Sequence, residues 1–186
     1  MESLYKNIHQ DVIDRCKAEE RDAQFQLYKL YYKSMYNTSL RIVGNEAEAE
    51  DIMQEAFLNA FRKIKTYSGQ VSFGAWLKRI VVNRSLDHLK KRKVQLEELD
   101  ERITGEMVEN PLMEIKEVDV QKIKQAIFQL PDGYRVVLSL YLLEGYDHDE
   151  ISEILNISSS SSRSQLLRAK RKLRDYIKKD EVFSIN

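Results

Sequence analysis

Proline is almost missing from this chain: Pro111 and Pro131 are the only two in 186 residues, and glycine occurs six times. So few turn residues leave little punctuation for a succession of hairpins, which disfavours sandwich and barrel architectures and points to an all-α fold. A single cysteine, Cys16, excludes an intramolecular disulfide and supplies no metal cluster. It fits a reducing, cytoplasmic setting. No apolar run is long enough to cross a bilayer, and the opening MESLYKNIHQ has no apolar signal core, so no membrane insertion is expected. Net charge is missing too, with 30 Lys and Arg against 30 Asp and Glu. A zero balance ordinarily argues against a nucleic-acid partner. What is present is 42% hydrophobic residues, enough to bury a core in one ordinary domain or two small ones.

The neutral average conceals blocks of charge. Trp76 to Lys93 carries seven bases (Lys78, Arg79, Arg84, Lys90, Lys91, Arg92, Lys93) against Asp87. Val94 to Asp119 inverts the balance, with nine acids against Arg102 and Lys116. Arg163 to Lys179 returns to eight bases against Asp175. Two basic faces separated by an acidic strap differ physically from a neutral surface, because each face attracts anions over a distance of about one Debye length, roughly 8–10 Å.

Hydrophobic spacing divides the chain. Phe25, Leu27, Tyr28, Leu30, Tyr31, Tyr32, Met35, Tyr36, Leu40 and Ile42 recur at intervals of three and four, which predicts a long buried helix over 23–43. Gly44 ends it as a left-handed cap, Asn45 caps the next helix, and Glu48 stands where a capping box needs its reciprocal acceptor. Ile52, Ala56, Phe57, Ala60, Phe61 and Ile64 share one face of that helix. After the loop TYSGQVSF, a third helix runs from about Gly74 to Lys93, with Trp76, Leu77, Ile80 and Val81 inward. Residues 1–93 then form one bundle, of which 1–19 is an N-terminal extension, and 94–118 form an acidic linker. Residues 119–186 form a second domain of four short helices. Its apolar stripes are Ile123, Ile127 and Leu130, stopped at Pro131-Asp132-Gly133, then Val136, Val137, Leu140 and Leu143, stopped at Glu144-Gly145. Asp147 caps a helix holding Ile151, Ile154 and Leu155. A turn at Asn156-Ile157-Ser158 leads to the last helix, with Leu166, Ala169, Leu173, Tyr176 and Ile177 on one side.

The last two helices have the form of a helix-turn-helix. Five consecutive serines, Ser158 to Ser162, fall in the turn and the first helical turn beyond it. Ser158 or Ser159 can cap the recognition helix, and small side chains let its positive end approach phosphate. Ser161, Ser164, Gln165 and Arg168 follow at helical spacing with Arg163 beside them. Arg reads guanine, Gln reads adenine and Ser adapts to base or phosphate. On the third helix Asn83, Asp87 and Lys90 stand at i, i+4 and i+7, flanked by Arg84 and Lys91. With the polar loop between Tyr67 and Phe73 they could hold single-stranded DNA. Phe73 and Trp76 read as core residues, since both lie on or beside the apolar stripe. On the second helix Asp51, Gln54, Glu55 and Leu58 lie at i, i+3, i+4 and i+7 opposite the core, an acidic strip suited to a basic helical partner. The segment YDHDE (Asp147, His148, Asp149, Glu150) could suggest a metal site, but neighbouring residues of a short helix point apart and no second cluster accompanies them. No catalytic centre, metal or cofactor is expected.

These segments together resemble the bacterial sigma factors of the extracytoplasmic-function (ECF) type, over about residues 20–93 and 119–179. "GNEAEAEDIMQEAFLNAFRKI" is similar to the stretch of sigma region 2 that binds the beta-prime clamp helices of core RNA polymerase. The resemblance assigns that contact to Asp51, Gln54 and Glu55. "FGAWLKRIVVNRSLDHLKKRK" is similar to the minus-ten recognition helix, with Trp76, Leu77, Asn83, Asp87 and Lys90 on the pattern. It implies that the loop Ser68, Gly69, Gln70, Val71 and Ser72 captures a flipped base. "LPDGYRVVLSLYLLEGYDHDEISEILNISSSSSRSQLLRAKRKLR" is similar to region 4, which implies that Arg163, Ser164, Leu167 and Arg168 face the minus-thirty-five element. Ser162 stands where the family usually has Val, which suggests looser packing. Gln165 stands where it often has Arg, which suggests a different promoter preference. The resemblance implies core RNA polymerase, promoter DNA and an anti-sigma factor as partners. A polymerase-independent regulator using the same helix-turn-helix is the alternative.

Overall fold

The computed structural model describes residues 8–91 and 120–183, with side chains as far as Ile177. The expected acidic linker, with Arg92 and Lys93, lies outside the described residues. The chain divides into two compact units, Met1–Val94 and Gln95–Asn186.

The first unit packs α1 (Gln10–Lys17), α2 (Arg21–Val43), α3 (Glu46–Lys63) and α4 (Phe73–Lys91), with one 3₁₀ turn at Ile64–Thr66. Gly44, at φ 75°, ends α2 in the left-handed conformation, and its amide bonds to the Leu40 carbonyl. Asn45 then caps α3, its side chain accepting from the Glu48 amide at 3.0 Å. Glu48 itself turns towards α4, its carboxylate 3.1 Å from His88 Nε2. The fully buried core joins Leu27, Met35, Ala56, Phe57, Leu77 and Val81 from α2, α3 and α4. Small groups let α2 and α4 approach closely. Ser85 Oγ donates to the Val81 carbonyl at 2.8 Å and lies 3.1 Å from Ser39 Oγ, with both residues fully buried. A Cβ at Gly74 would sit 3.1 Å from the Tyr31 ring.

Within the N-terminal extension, Gln10–Lys17 form a helix. Val12, Ile13 and Cys16 of α1 enter the core, and burial pushes the Cys16 thiol up to about 11. The reversal into α2 passes through Glu19 at φ 67°, held by Lys65 at 2.6 Å, with Arg15 and Glu20 paired at 2.8 Å. A second correction concerns α2: Phe25 and Leu30 are about half exposed, at 57% and 49%. A 23-residue helix at the edge of a bundle buries one stripe only, and these two residues lie off it.

The second unit comprises α5 (Val120–Phe128), α6 (Asp132–Leu138), which runs on into a π-helical segment (Ser139–Leu143), α7 (His148–Leu155) and α8 (Ser159–Phe183). Buried Arg135 donates to the Leu130 carbonyl at 3.1 Å and pairs with Asp132, locking the turn at Pro131. Val136, Val137 and Leu140 are buried but Leu143 is not. The wider π turn, closed by Glu144 N–H to Ser139 O at 3.0 Å, rotates the stripe and leaves Leu142 and Leu143 outside. With 25 residues, α8 is a long helix rather than a short one.

Candidate nucleic-acid interface

Three surfaces are built from these elements. On α3, Asp51, Gln54, Glu55 and Leu58 are all exposed, Leu58 at 57%, while Ile52, Met53, Ala56 and Phe57 between them are buried. Gln54 donates to Glu50 at 3.4 Å along the same face. The helix thus presents an acidic ridge with one apolar knob, held rigid by the core behind it.

On α4 the same division of faces holds. Leu77, Val81, Val82, Ser85, Leu86 and Leu89 are buried, while Asn83, Arg84, Asp87, Lys90 and Lys91 are exposed. Arg79, which sequence reasoning left out of the site, is exposed at i−4 from Asn83 and extends this ridge. Ahead of α4 the loop is stapled to the bundle. Tyr67, 3% exposed, donates its hydroxyl to the Val71 carbonyl at 2.6 Å and packs on Phe73 and Trp76, with centroids 5.5 and 5.3 Å away. Gly69, at φ 77°, is buried within the turn. Ser72 Oγ accepts from the Ala75 amide at 3.2 Å and caps α4. Phe73 is a core residue, 1% exposed, and Trp76 is half-buried. Ser68, Gln70 and Val71 remain at the exposed rim. The loop is a short, preformed cradle over an aromatic floor, adjoining the basic ridge of α4.

In the second unit Asp147 builds a complete capping box. Its carboxylate accepts from the Asp149 and Glu150 amides at 2.9 and 2.8 Å, and Glu150 accepts from the Asp147 amide at 2.9 Å. Asn156, at φ 55°, ends α7, and Ser158 Oγ accepts from the Ser161 amide at 3.0 Å to start α8. The serine run is therefore a cap and a first helical turn. Arg163, Ser164 and Leu167 are exposed, and Ser161 and Arg168 are half-buried. Arg171, at i+4 from Leu167, is exposed as well and was missed.

Gln165 is 8% exposed and does not lie on the outer face. Ser162, Gln165, Leu166 and Ala169 are the buried stripe of α8, at i, i+3, i+4 and i+7. Nor is Ser162 loosely seated. It is fully buried, and its hydroxyl lies 2.8 Å from His148 Nδ1. His148 stacks on Tyr141, with centroids 4.5 Å apart. Burial first, then Arg163 and Lys170, hold its imidazole below the ordinary value of 6.5, while Asp149 and Asp147 act in the opposite sense. The acidic segment around His148 is thus engaged in capping and helix packing.

Two all-helical units, each with a basic ridge on its outer face and one ending in a helix-turn-helix, define a modular DNA-binding factor. Residues 27–94 match the family Sigma-70 region 2, and residues 120–173 match Sigma-70, region 4. ECF RNA polymerase sigma factor SigW of Bacillus subtilis is 31% identical over 178 residues, covering 89% of this chain and 95% of SigW. SigM of the same organism is 31% identical over 155 residues, covering 80% of this chain and 91% of SigM. The sigma factor RpoE of Bartonella quintana, solved with the anti-sigma factor NepR, shares the fold at a TM-score of 0.56 and 21% identity, with coverage of 82% and 95%. The chain belongs to the ECF class of sigma-70 RNA polymerase sigma factors, and its function lies in transcription initiation.

Proposed function

We infer that the exposed ridge of α3, Asp51, Gln54, Glu55 and Leu58, docks the chain onto the beta-prime clamp helices of core RNA polymerase. The ridge of α4, Asn83, Arg84, Asp87, Lys90 and Lys91, then engages the minus-ten element. The rim Ser68, Gln70 and Val71, shaped by Gly69 and Ser72, receives an unstacked base. Helix α8 reads the minus-thirty-five duplex through Arg163, Ser164, Leu167 and Arg168, with Ser161 at its capped start. The observation that carries this reading is the division of faces. On α3 and α4 every named ridge residue is exposed, whereas the residues between them are core, apart from half-buried His88, which pairs with Glu48. Gln165 is left out of the reading set because its side chain is committed to the interior.

Phosphate contacts from the basic ridges supply affinity, and the few groups that reach base edges supply selectivity. RNA synthesis itself belongs to the polymerase; this chain acts in the cytoplasm as a positioning subunit and performs no catalytic step. An anti-sigma factor, as in the RpoE complex, would act by covering the α3 ridge or α8. The test is in vitro transcription by reconstituted holoenzyme across a salt series. Arg163→Ala is expected to lower output from an upstream-element promoter and to flatten the salt dependence by about one phosphate contact. Unchanged output and slope would remove α8 from the reading. Specific operator binding without polymerase, with no binding to core, would favour a stand-alone regulator.

A further inference from the structure

We propose that Ser162 and His148 form a polar latch that sets the angle of α8 against α7, and that this angle governs how selectively α8 reads duplex DNA. The inference rests on the reading of α8 as the promoter-reading helix. The pair joins the two helices at their first turns. His148 is the first residue of α7, beside a fully closed capping box, and Ser162 lies in the first turn of α8, just beyond the Ser158 cap. Both backbones are therefore held where the side chains meet, so the 2.8 Å hydrogen bond fixes a relation between two rigid starts. The imidazole has little room to swing, because its face is stacked on Tyr141 at an interplanar angle of 24°. Further along, the contact is apolar and less directional: Ile151 and Leu155 of α7 and Leu166 and Ala169 of α8 are all buried. Apolar packing alone permits small rotations, whereas a buried hydroxyl with one partner does not. Arg163, the first exposed base of α8, directly follows Ser162, so a rotation at Ser162 moves that guanidinium. Ser162 and His148 touch no base in this reading; they act as positioning residues.

The charged groups facing His148 are Arg163 and Lys170 from α8 and Asp147 and Asp149 from the start of α7, with Tyr141 stacked from the π segment. The test uses full-length chain assembled into holoenzyme and a promoter library randomised over the upstream hexamer. Enrichment of the favoured hexamers among the transcripts is the readout. Ser162→Ala and His148→Leu are each expected to reduce that enrichment about tenfold at most, a factor matching the loss of one part-buried hydrogen bond. The double variant is expected to lose no more than either single, since both remove the same bond. His148→Asn, whose side-chain oxygen can replace Nδ1, is expected to retain the enrichment. Core polymerase affinity is expected to stay within twofold for all four. Multiplying losses in the double variant, unchanged enrichment in both singles, or failure of His148→Asn to rescue would overturn the latch. If Arg163→Ala abolishes selectivity while both latch variants keep it, the latch alone fails. If wild-type holoenzyme shows no upstream selectivity, the reading of α8 fails with it.

Discussion

Replacing Ile13 with alanine tests whether α1 belongs to the first unit or merely accompanies it. Ile13 is fully buried, together with Cys16 and nearly buried Val12, within the core that holds Leu27, Ala56 and Phe57. The substitution removes three carbons from a packed site, and such deletions cost about 2–4 kcal/mol. With a urea dependence of about 1.5 kcal/mol per M for a unit of this size, the midpoint should fall by about 1.3–2.7 M. Trp76 is the chain's single tryptophan and packs on Tyr67 and Phe73 in the first unit, so its fluorescence reports that unit alone. Ile8→Ala is the control: at 93% exposure it should change stability by less than about 0.5 kcal/mol. An Ile13→Ala midpoint equal to wild type would refute the placement of α1 in the core.

Asp147→Ala removes the side-chain arm of the capping box, which accepts from the Asp149 and Glu150 amides, and with it a carboxylate at a helix N-terminus. It should destabilise the second unit by about 1–2 kcal/mol, seen as a lower thermal midpoint by circular dichroism with the Trp76 transition unmoved. The depressed His148 value gives a pH dependence of defined sign. The unfolded chain takes up the proton more readily, so this contribution is complete above about 6.5 and is lost as pH falls through 6.5 towards the lower folded value. Thermal melts at pH 7.5 and 5.5 should show a smaller decline for His148→Asn than for wild type; equal declines would contradict the assignment. Asn83→Ala leaves the core untouched and should reduce promoter opening, read by permanganate footprinting, without weakening polymerase binding.

Much of the fold could be read from local chemistry. Gly44 followed by Asn45, Pro131 followed by Asp132, and Asp147 paired with Glu150 each act within a few residues, so their spacing is visible without the tertiary structure. The outer ridges of α3 and α4 were legible for the same reason, because charged residues alternate there with a clean apolar stripe. The failures have separate physical causes. In α8 two members of the buried stripe are Ser162 and Gln165, and their polarity concealed the stripe and placed Gln165 among the base readers. Burial of a hydroxyl depends on a partner fourteen residues away, His148, which helical spacing cannot show. The π turn at Ser139–Leu143 carries no side-chain signal, so Leu143 looked like a continuation of its helix. Helix α1, with eight residues and three buried side chains, is too short for periodicity to distinguish from an extension. Phe25 and Leu30 were counted inward on hydrophobicity alone, yet lie on the outer side of α2.

The measurement closest to the centre of this account is the affinity of the purified chain for core RNA polymerase, compared with an Asp51→Lys, Glu55→Lys double variant. Both positions are exposed, so the variant should fold as wild type does. Wild type should bind tightly and the variant about tenfold or more weakly, as two charge reversals at an electrostatically matched surface require. Equal binding by both chains would move the docking surface away from α3, and no binding by wild type under conditions where SigW binds its own core enzyme would contradict the account as a whole.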